Sequence, residues 1–151
     1  MATFHFRLET LLRLRLETRD ARRADLVKAQ RAEQALEAQG DELAQERQST
    51  DERSRRLAAP GTADIDALIG SHRYQLALKA RTEHLANQLL QVQAEVQKRR
   101  QALVEADREV RVLEKLREKQ HAAQRVREER LQQKQLDEQA TIGFTRREAS
   151  A

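Results

Sequence analysis

The chain has 151 residues, and Ala, Glu, Lys, Leu and Arg make up 89 of them. That share exceeds the roughly 50% typical of long helices and coiled coils. Three phenylalanines, one tyrosine and no tryptophan leave few large side chains to fill a compact core. There are only four glycines for tight turns. Sandwiches, barrels and doubly wound sheets need β-branched strands and glycine-rich turns, so these folds are excluded. Without a globular wall to form a pocket, we do not expect an enzyme.

The net charge of +4 is concentrated towards the two ends of the sequence. Residues 1–31 hold 8 basic and 4 acidic side chains, residues 32–97 hold 7 and 11, and residues 98–151 hold 14 and 10. The chain has no cysteine, which excludes disulfides and thiolate metal sites. Charged residues interrupt the first apolar stretch, and no long apolar run follows, so we expect neither a signal peptide nor a membrane span. These features predict a cytoplasmic protein.

The helical pattern is broken once, at residues 58–62, where Pro60 and Gly61 follow two alanines. We expect a first helix over about 4–57, and a turn with a short helix within 58–71. The short helix would cover 63–69, with Thr62 as its cap and a second break at Gly70 and Ser71. A last helix over about 72–140 would end near Ile142 and Gly143, leaving a tail at 141–151. All of this is predicted to form a single domain.

The last helix carries an apolar repeat with alternating steps of three and four residues. Nine of its eleven seam positions are apolar, the exceptions being Thr82 and Arg99; the positions are Leu78, Thr82, Leu85, Leu89, Val92, Val96, Arg99, Leu103, Ala106, Val110 and Leu113. The first helix keeps a fainter seven-residue step at Ala29, Leu36, Leu43, Thr50 and Leu57. We interpret Gly40 as lying outside the seam. Such spacing predicts a left-handed coiled coil.

The short link between the helices favours an antiparallel pairing. The expected fold is all-α: a long two-helix antiparallel coiled-coil hairpin with a short helix at the turn. If Leu57 pairs with the region around residues 66–72, then Phe4 and Leu8 lie opposite residues of about 115–125. Residues 126–140 then have no partner within the chain, although they include Val126, Leu131 and Leu136. Such an unpaired apolar helix end indicates a surface that binds another protein.

Catalytic and metal chemistry find little support in the residue spacing. The four histidines are not placed in pairs four residues apart, and neighbouring carboxylates point away from each other on a helix. We therefore expect no catalytic residues, no metal and no cofactor. The early arginines, Arg13, Arg15, Arg19, Arg22 and Arg23, are interleaved with acids. This pattern favours a solvated face with ion pairs such as Asp107 with Arg111, and argues against a nucleic-acid contact.

Three features remain as candidate binding surfaces. The opening stretch Phe4-x-Phe6-x-Leu8-x-x-Leu11-Leu12 is either an end cap on the hairpin or a docking surface. Tyr74 with Leu78, near the turn, is either seam packing or a contact surface. The stretch from Arg130 to Glu138 is either a solvated helix end or a binding site.

Two of these stretches resemble a known family. The opening Phe4-x-Phe6-x-Leu8-Glu9-x-Leu11-Leu12-x-Leu14-Arg15 resembles the start of the flagellar export protein FliJ. The stretch from Leu131 to Glu138, which ends Gln133-Lys134-Gln135-Leu136-Asp137-Glu138, resembles that family's end motif. The chain length, the absence of cysteine and the two-helix layout agree with this resemblance, which covers the whole chain.

The resemblance implies a non-enzymatic part of the flagellar type III export apparatus, serving flagellum assembly, motility and chemotaxis. Members resemble the stalk of the rotary ATP synthase γ subunit, insert into the hexameric export ATPase, contact the cytoplasmic part of the membrane export gate and assist export chaperones. This places the chain in the cytoplasm, peripheral to the inner membrane without inserting into it. Tyr74 and Leu78 would face the gate. The implied ATPase contacts are Phe4, Phe6, Leu8, Leu11, Leu12, Arg13, Arg15, Val126, Arg130, Leu131, Gln133, Lys134, Leu136, Asp137 and Glu138.

Two other classes remain open. One is a generic coiled-coil scaffold or an injectisome stalk protein, which a dimer with both ends buried would favour. The other is a nucleic-acid-binding coiled coil, which would show DNA affinity with a steep dependence on salt.

Overall fold

The computed structural model describes residues 4–61 and 64–150. Two helices account for most of these residues: α1, Glu9–Leu57 (49 residues), and α2, Ile65–Ala149 (85 residues). The described ranges contain no strand. The expected all-α helical hairpin is confirmed.

The chain divides into two compact units, and both helices contribute to each. Unit 1 combines Met1–Arg19 with Ala106–Ala151, and unit 2 is Asp20–Glu105. The helices run antiparallel in unit 1, where Glu9 meets Arg117 and Arg15 meets Glu109.

The same direction holds within unit 2. The Arg99 guanidinium donates to the backbone carbonyl of Asp25, and the Gln75 amide donates to the Asp51 carboxylate. The single-domain organisation stays a prediction.

The predicted seam is the buried face of both helices. All eleven seam positions of α2, and all five of α1, are buried or half-buried. In unit 2, Leu26, Ala29 and Val96 form an apolar cluster with Val92 and Leu103 against it. Helices this polar are stabilised mainly by burying one apolar stripe, so this seam is what holds each pair together.

Polar residues in the seam are satisfied by hydrogen bonds. The buried Thr50 hydroxyl donates to the Glu46 carbonyl at 2.8 Å, and Thr82 donates to the Leu78 carbonyl at 2.8 Å. No buried side-chain nitrogen or oxygen in the described part of the chain lacks a hydrogen-bond partner. A satisfied hydroxyl avoids the desolvation cost that an unpaired one would carry, so threonine fits these positions.

The interpretation of Gly40 as a residue outside the seam is wrong. Gly40 is half-buried in α1, and a β-carbon built on it would lie 3.5 Å from Cδ2 of Leu85. Leu85, a seam residue of α2, therefore packs over the glycine. The sequence does not reveal this, because the half-buried residue seven positions earlier is the charged Glu33. No apolar repeat therefore marks this row of buried positions.

The start of α2 also differs from the expectation. There is no separate short helix at 63–69 and no break at Gly70 and Ser71, because α2 runs unbroken from Ile65. The Asp64 carboxylate caps it by accepting the backbone N–H groups of Asp66, at 3.1 Å, and Ala67, at 3.2 Å. Ser71 hydrogen-bonds Ser54 across to α1 instead of capping a helix. The predicted cap Thr62 lies outside the described residues.

Two other helix boundaries move. The first helix begins at Glu9 instead of residue 4, and the last continues to Ala149, beyond the expected end at 140. Gly143 lies inside α2, because the cost of about 1 kcal/mol for an internal glycine does not stop a helix extended on both sides. The turn itself is where the sequence places it, with Gly61 at a φ of 90° after Pro60.

We expect Leu78→Ala to lower the free energy of unfolding by about 2–5 kcal/mol, since Leu78 is fully buried. Leu90→Ala is the matched control on the same helix, because Leu90 is exposed, and it should change stability by less than about 0.5 kcal/mol. Urea unfolding followed by circular dichroism measures both. Equal losses in the two variants would contradict this packing.

Gly40→Ala should raise stability by up to about 1 kcal/mol, because alanine favours the helix and the added methyl meets Leu85 at ordinary contact distance. Gly70→Ala is the control: it gains the same helix propensity, and its methyl would have no neighbour within 4 Å. Thermal unfolding compares the two. If Gly40→Ala destabilises the chain and Gly70→Ala does not, then Leu85 needs the space that the glycine leaves free.

Candidate partner-binding surfaces

The opening stretch forms an apolar cluster within unit 1. Phe6, Leu12 and Val110 are buried at its centre, and five half-buried side chains pack around them: Phe4, Leu8, Leu16, Leu113 and Leu116. Phe6 and Leu12 are each only 3% exposed. Phe6 and Leu12 therefore agree with the interpretation of this stretch as an end cap and not as a docking surface, because other residues of this chain already cover their side chains.

Other candidates in the opening stretch remain accessible. Leu11 is exposed, and Phe4 is half-buried with its ring edge-on to His121 at a centroid distance of 4.9 Å. Arg13 is exposed, whereas the Arg15 guanidinium lies 2.8 Å from the Glu109 carboxylate. Arg13 is therefore the cleaner probe of charge, since changing Arg15 also removes an ion pair within unit 1. The predicted pair of Asp107 with Arg111 is present at 2.9 Å.

Among the residues that the structure describes, no helix covers the last part of α2. We call residues 125–150 the terminal segment; all are exposed except the half-buried Glu128. It holds the remaining ATPase-contact candidates, all of them exposed: Val126, Arg130, Leu131, Gln133, Lys134, Leu136, Asp137 and Glu138. Leu131 and Leu136 are 59% and 65% exposed. The expected unpartnered end is thus present, and it extends beyond residue 140.

The apolar side chains of the terminal segment point to different sides of the helix. Val126, Leu131 and Leu136 are spaced five residues apart, so each is turned by about 140° from the one before. Ile142 and Phe144 add two exposed apolar side chains that sequence reasoning left in the tail. The signal for them was available, because they are the only large apolar residues after Leu136.

Charge separates the two units. Unit 1 contains 15 basic and 11 acidic side chains, a net charge of +4, whereas unit 2 contains 14 of each. The whole net positive charge of the chain therefore belongs to the unit that carries the terminal segment. An acidic partner surface would be attracted to unit 1 and not to unit 2.

The two gate candidates in unit 2 have different environments. Leu78 is fully buried in the seam, which is the packing alternative, so it offers no surface to another protein. Tyr74 is 41% exposed, and its hydroxyl donates a hydrogen bond to the Glu46 carboxylate of α1. This bond raises the pKa of Tyr74, because the phenol can donate only while it keeps its proton; desolvation and the negative charge of Glu46 act in the same direction. Tyr74 alone remains a surface candidate.

An exposed apolar stripe at the start of α2 was not singled out from the sequence. Ile65, Ile69 and Leu76 are exposed on one face of the helix, together with His72. We call these four residues the α2 N-terminal stripe. Its spacing of four, three and four residues is visible in the sequence, but the expected break at Gly70 divided it between two helices.

Within residues 4–61 and 64–150, no three His, Cys, Asp or Glu side chains are grouped closely enough to hold a metal ion. Neither helix, over the residues described, has a stretch long and apolar enough to cross a membrane.

A protein-family model described as "Flagellar FliJ protein" matches residues 4–149. The chain belongs to the FliJ family. The match begins at Phe4 and includes the apolar cluster of the opening stretch, both helices and the terminal segment as far as residue 149. No curated protein and no solved structure matches the chain. FliJ membership makes it a protein associated with flagellar export, in a family whose members are non-catalytic components of that apparatus.

We expect the phenol of Tyr74 to titrate above its ordinary pKa of 10.0 in the folded chain, and near that value in denaturant. Tyr74 is the only tyrosine and there is no tryptophan, so ultraviolet absorbance of the phenolate reads this residue directly. Glu46→Gln should bring the folded value down, because the repelling charge is removed.

The raised folded-state pKa makes a linked prediction for stability. The contribution of this bond is fully present below the unfolded pKa and is lost as pH rises through the folded pKa. Stability above pH 10 should therefore fall more steeply in the native chain than in Tyr74→Phe, which has no phenol to titrate. Identical slopes would contradict the Tyr74–Glu46 bond.

Proposed function

We propose that this FliJ-family chain is a non-enzymatic, stalk-like coiled coil of the flagellar type III export apparatus. In this proposal it links the export ATPase ring to the membrane export gate and assists export chaperones. It acts in the cytoplasm, peripheral to the inner membrane. The observation that carries the proposal is the terminal segment, an unpartnered helix with exposed apolar side chains on several sides.

A partner that surrounds a helix accounts for this arrangement better than a partner that touches one face. A helix that binds in a groove presents its anchors on one face, at spacings of three, four and seven residues. Val126, Leu131 and Leu136 instead differ in direction by about 140° from one to the next. The central hole of a ring contacts a helix from all sides and excludes water, so every one of these side chains can be desolvated.

The distribution of charge also favours unit 1 as the part of the chain that binds the ATPase. Unit 1 has a net charge of +4 and includes the exposed Arg13 and Arg130. Acidic groups at the rim of a ring would attract this unit and align it during entry, an effect that weakens with salt. The candidate gate contact is Tyr74 on unit 2, where the phenol ring is accessible although its hydroxyl is engaged.

Deleting residues 126–151 should abolish binding to the hexameric export ATPase and stimulation of its ATP hydrolysis. The cluster of Phe6, Leu12 and Val110 should remain folded, because none of the side chains packed in it lies beyond Leu116. Pull-down and ATPase assays measure the function, and circular dichroism with thermal unfolding checks the fold.

Point variants distinguish the effect of the apolar side chains on ATPase binding from the effect of shortening the helix. Leu131→Asp with Leu136→Asp should weaken ATPase binding by at least about 30-fold, as expected for anchors in a desolvated site. Leu90→Asp, an equally exposed leucine in unit 2, should leave binding within about twofold. Arg13→Glu should weaken binding at low salt and have little effect at high salt.

Full-strength ATPase binding by the truncated chain would overturn the ring-entering role of this end. Binding to an injectisome ATPase instead of the flagellar one would assign the chain to that system. A chain that binds neither ATPase, yet dimerises with its terminal segments buried, would be a coiled-coil scaffold. DNA affinity with a steep salt slope would favour a nucleic-acid binder, which the interleaved acids argue against.

A further inference from the structure

The α2 N-terminal stripe is an apolar face that the rest of the described chain, residues 4–61 and 64–150, leaves exposed. Ile65, Ile69 and Leu76 are 71%, 48% and 55% exposed. With His72 they occupy a sector of about 60° over a helix length of about 16 Å. Scattered single apolar residues are ordinary on a surface, but a stripe at spacings of four, three and four residues is the pattern of a helix that packs against another helix.

Two charged residues flank this stripe on the same side. Asp66 and Arg73 lie two turns apart, each about 70–90° from the centre of the stripe. Both are exposed, and no ion pair engages either of them within the described residues. They have opposite signs, so the flank carries both halves of an ion pair that cannot close on one helix at this separation.

The stripe is self-complementary when two copies meet antiparallel. About a twofold axis between Ile69 and His72, Ile65 of one copy lies opposite Leu76 of the other, and Ile69 lies opposite His72. Antiparallel helices bring the same flank of each copy together, which places Asp66 of one beside Arg73 of the other, twice over by symmetry. A second copy of this chain thus satisfies the apolar register and both charges at once.

We propose that the α2 N-terminal stripe is a weak self-association surface through which two copies of this chain pair antiparallel. Four side chains from each copy make a small interface. Interfaces that bury less than roughly 1,200 Å² in total are typical of weak and transient complexes. The dimer should therefore form at concentrations on the order of 100 μM and dissociate on dilution. The proposal concerns unit 2 alone and does not depend on the ATPase.

Sedimentation equilibrium of the full chain over a range of concentrations tests the association. Ile69→Asp should abolish dimerisation, because it places a charge at the centre of the apolar contact. Val104→Asp is the matched control, an exposed apolar residue elsewhere on α2 that should leave the dimer unchanged. A native chain that remains monomeric to about 1 mM would overturn the proposal.

Charge reversal tests the geometry. Asp66→Arg alone, or Arg73→Asp alone, creates two like-charge contacts and should weaken the homodimer by about tenfold. Combining both changes in one chain should restore it, and so should mixing the two single variants, because each then supplies the opposite charges. Circular dichroism checks that helix content is retained. Failure of the mixture to associate more strongly than either variant would refute the antiparallel pairing.

Discussion

The narrow apolar seam between α1 and α2 is the interaction on which the other features depend. The two helices are so rich in Arg, Glu and Gln that their stability depends mainly on burying this one seam. Burial of Leu78, Leu85, Val96 and Val110 decides which face of α2 is covered, and so which side chains remain available to partners. Tyr74 and Leu78, four residues apart in the sequence, differ in availability for this reason alone.

Polar contacts fix the register that an alternating apolar pattern leaves loosely specified. A seam of leucine, valine and alanine can shift by a heptad at modest cost, whereas a hydrogen bond to one particular group cannot. Arg99 reaches the Asp25 carbonyl at 2.8 Å while its Nε donates to Glu95. Gln75 similarly joins Asp51 and Ser54. Such contacts specify the pairing at little expense, because each donor and acceptor is satisfied.

The unequal lengths of the helices create the terminal segment. With 49 residues in α1 and 85 in α2, no helix within residues 4–61 and 64–150 covers the α2 residues beyond the cluster of Phe6, Leu12 and Val110. An isolated helix of this length is marginal in water unless partners or side-chain pairs support it. Ion pairs four residues apart, such as Arg125 with Glu129, contribute a few tenths of a kcal/mol each. Binding to a partner would supply the apolar burial that the segment lacks.

The sequence by itself determined the helical class, the break at Pro60 and Gly61, the seam and the unpartnered end, because composition and a repeated step are local properties. The opening and closing motifs also sufficed to indicate the FliJ family, which the family match over residues 4–149 confirms. Those motifs located most of the candidate residues, and the apolar pattern near the turn and beyond residue 125 supplied the others, but neither indicated which of them are accessible.

Tertiary structure decided which candidates are covered. Phe6 and Leu12 are buried in a cluster with Val110, which is distant in sequence, and Leu78 is buried in the seam. Gly40 entered the seam because Leu85 lies over it, and Gly70 failed to break α2 because a helix extended on both sides tolerates the cost of one glycine. That continuity also assembled the α2 N-terminal stripe. Each of these outcomes depends on the partner helix or on helix cooperativity, and neither can be read from a single position in the sequence.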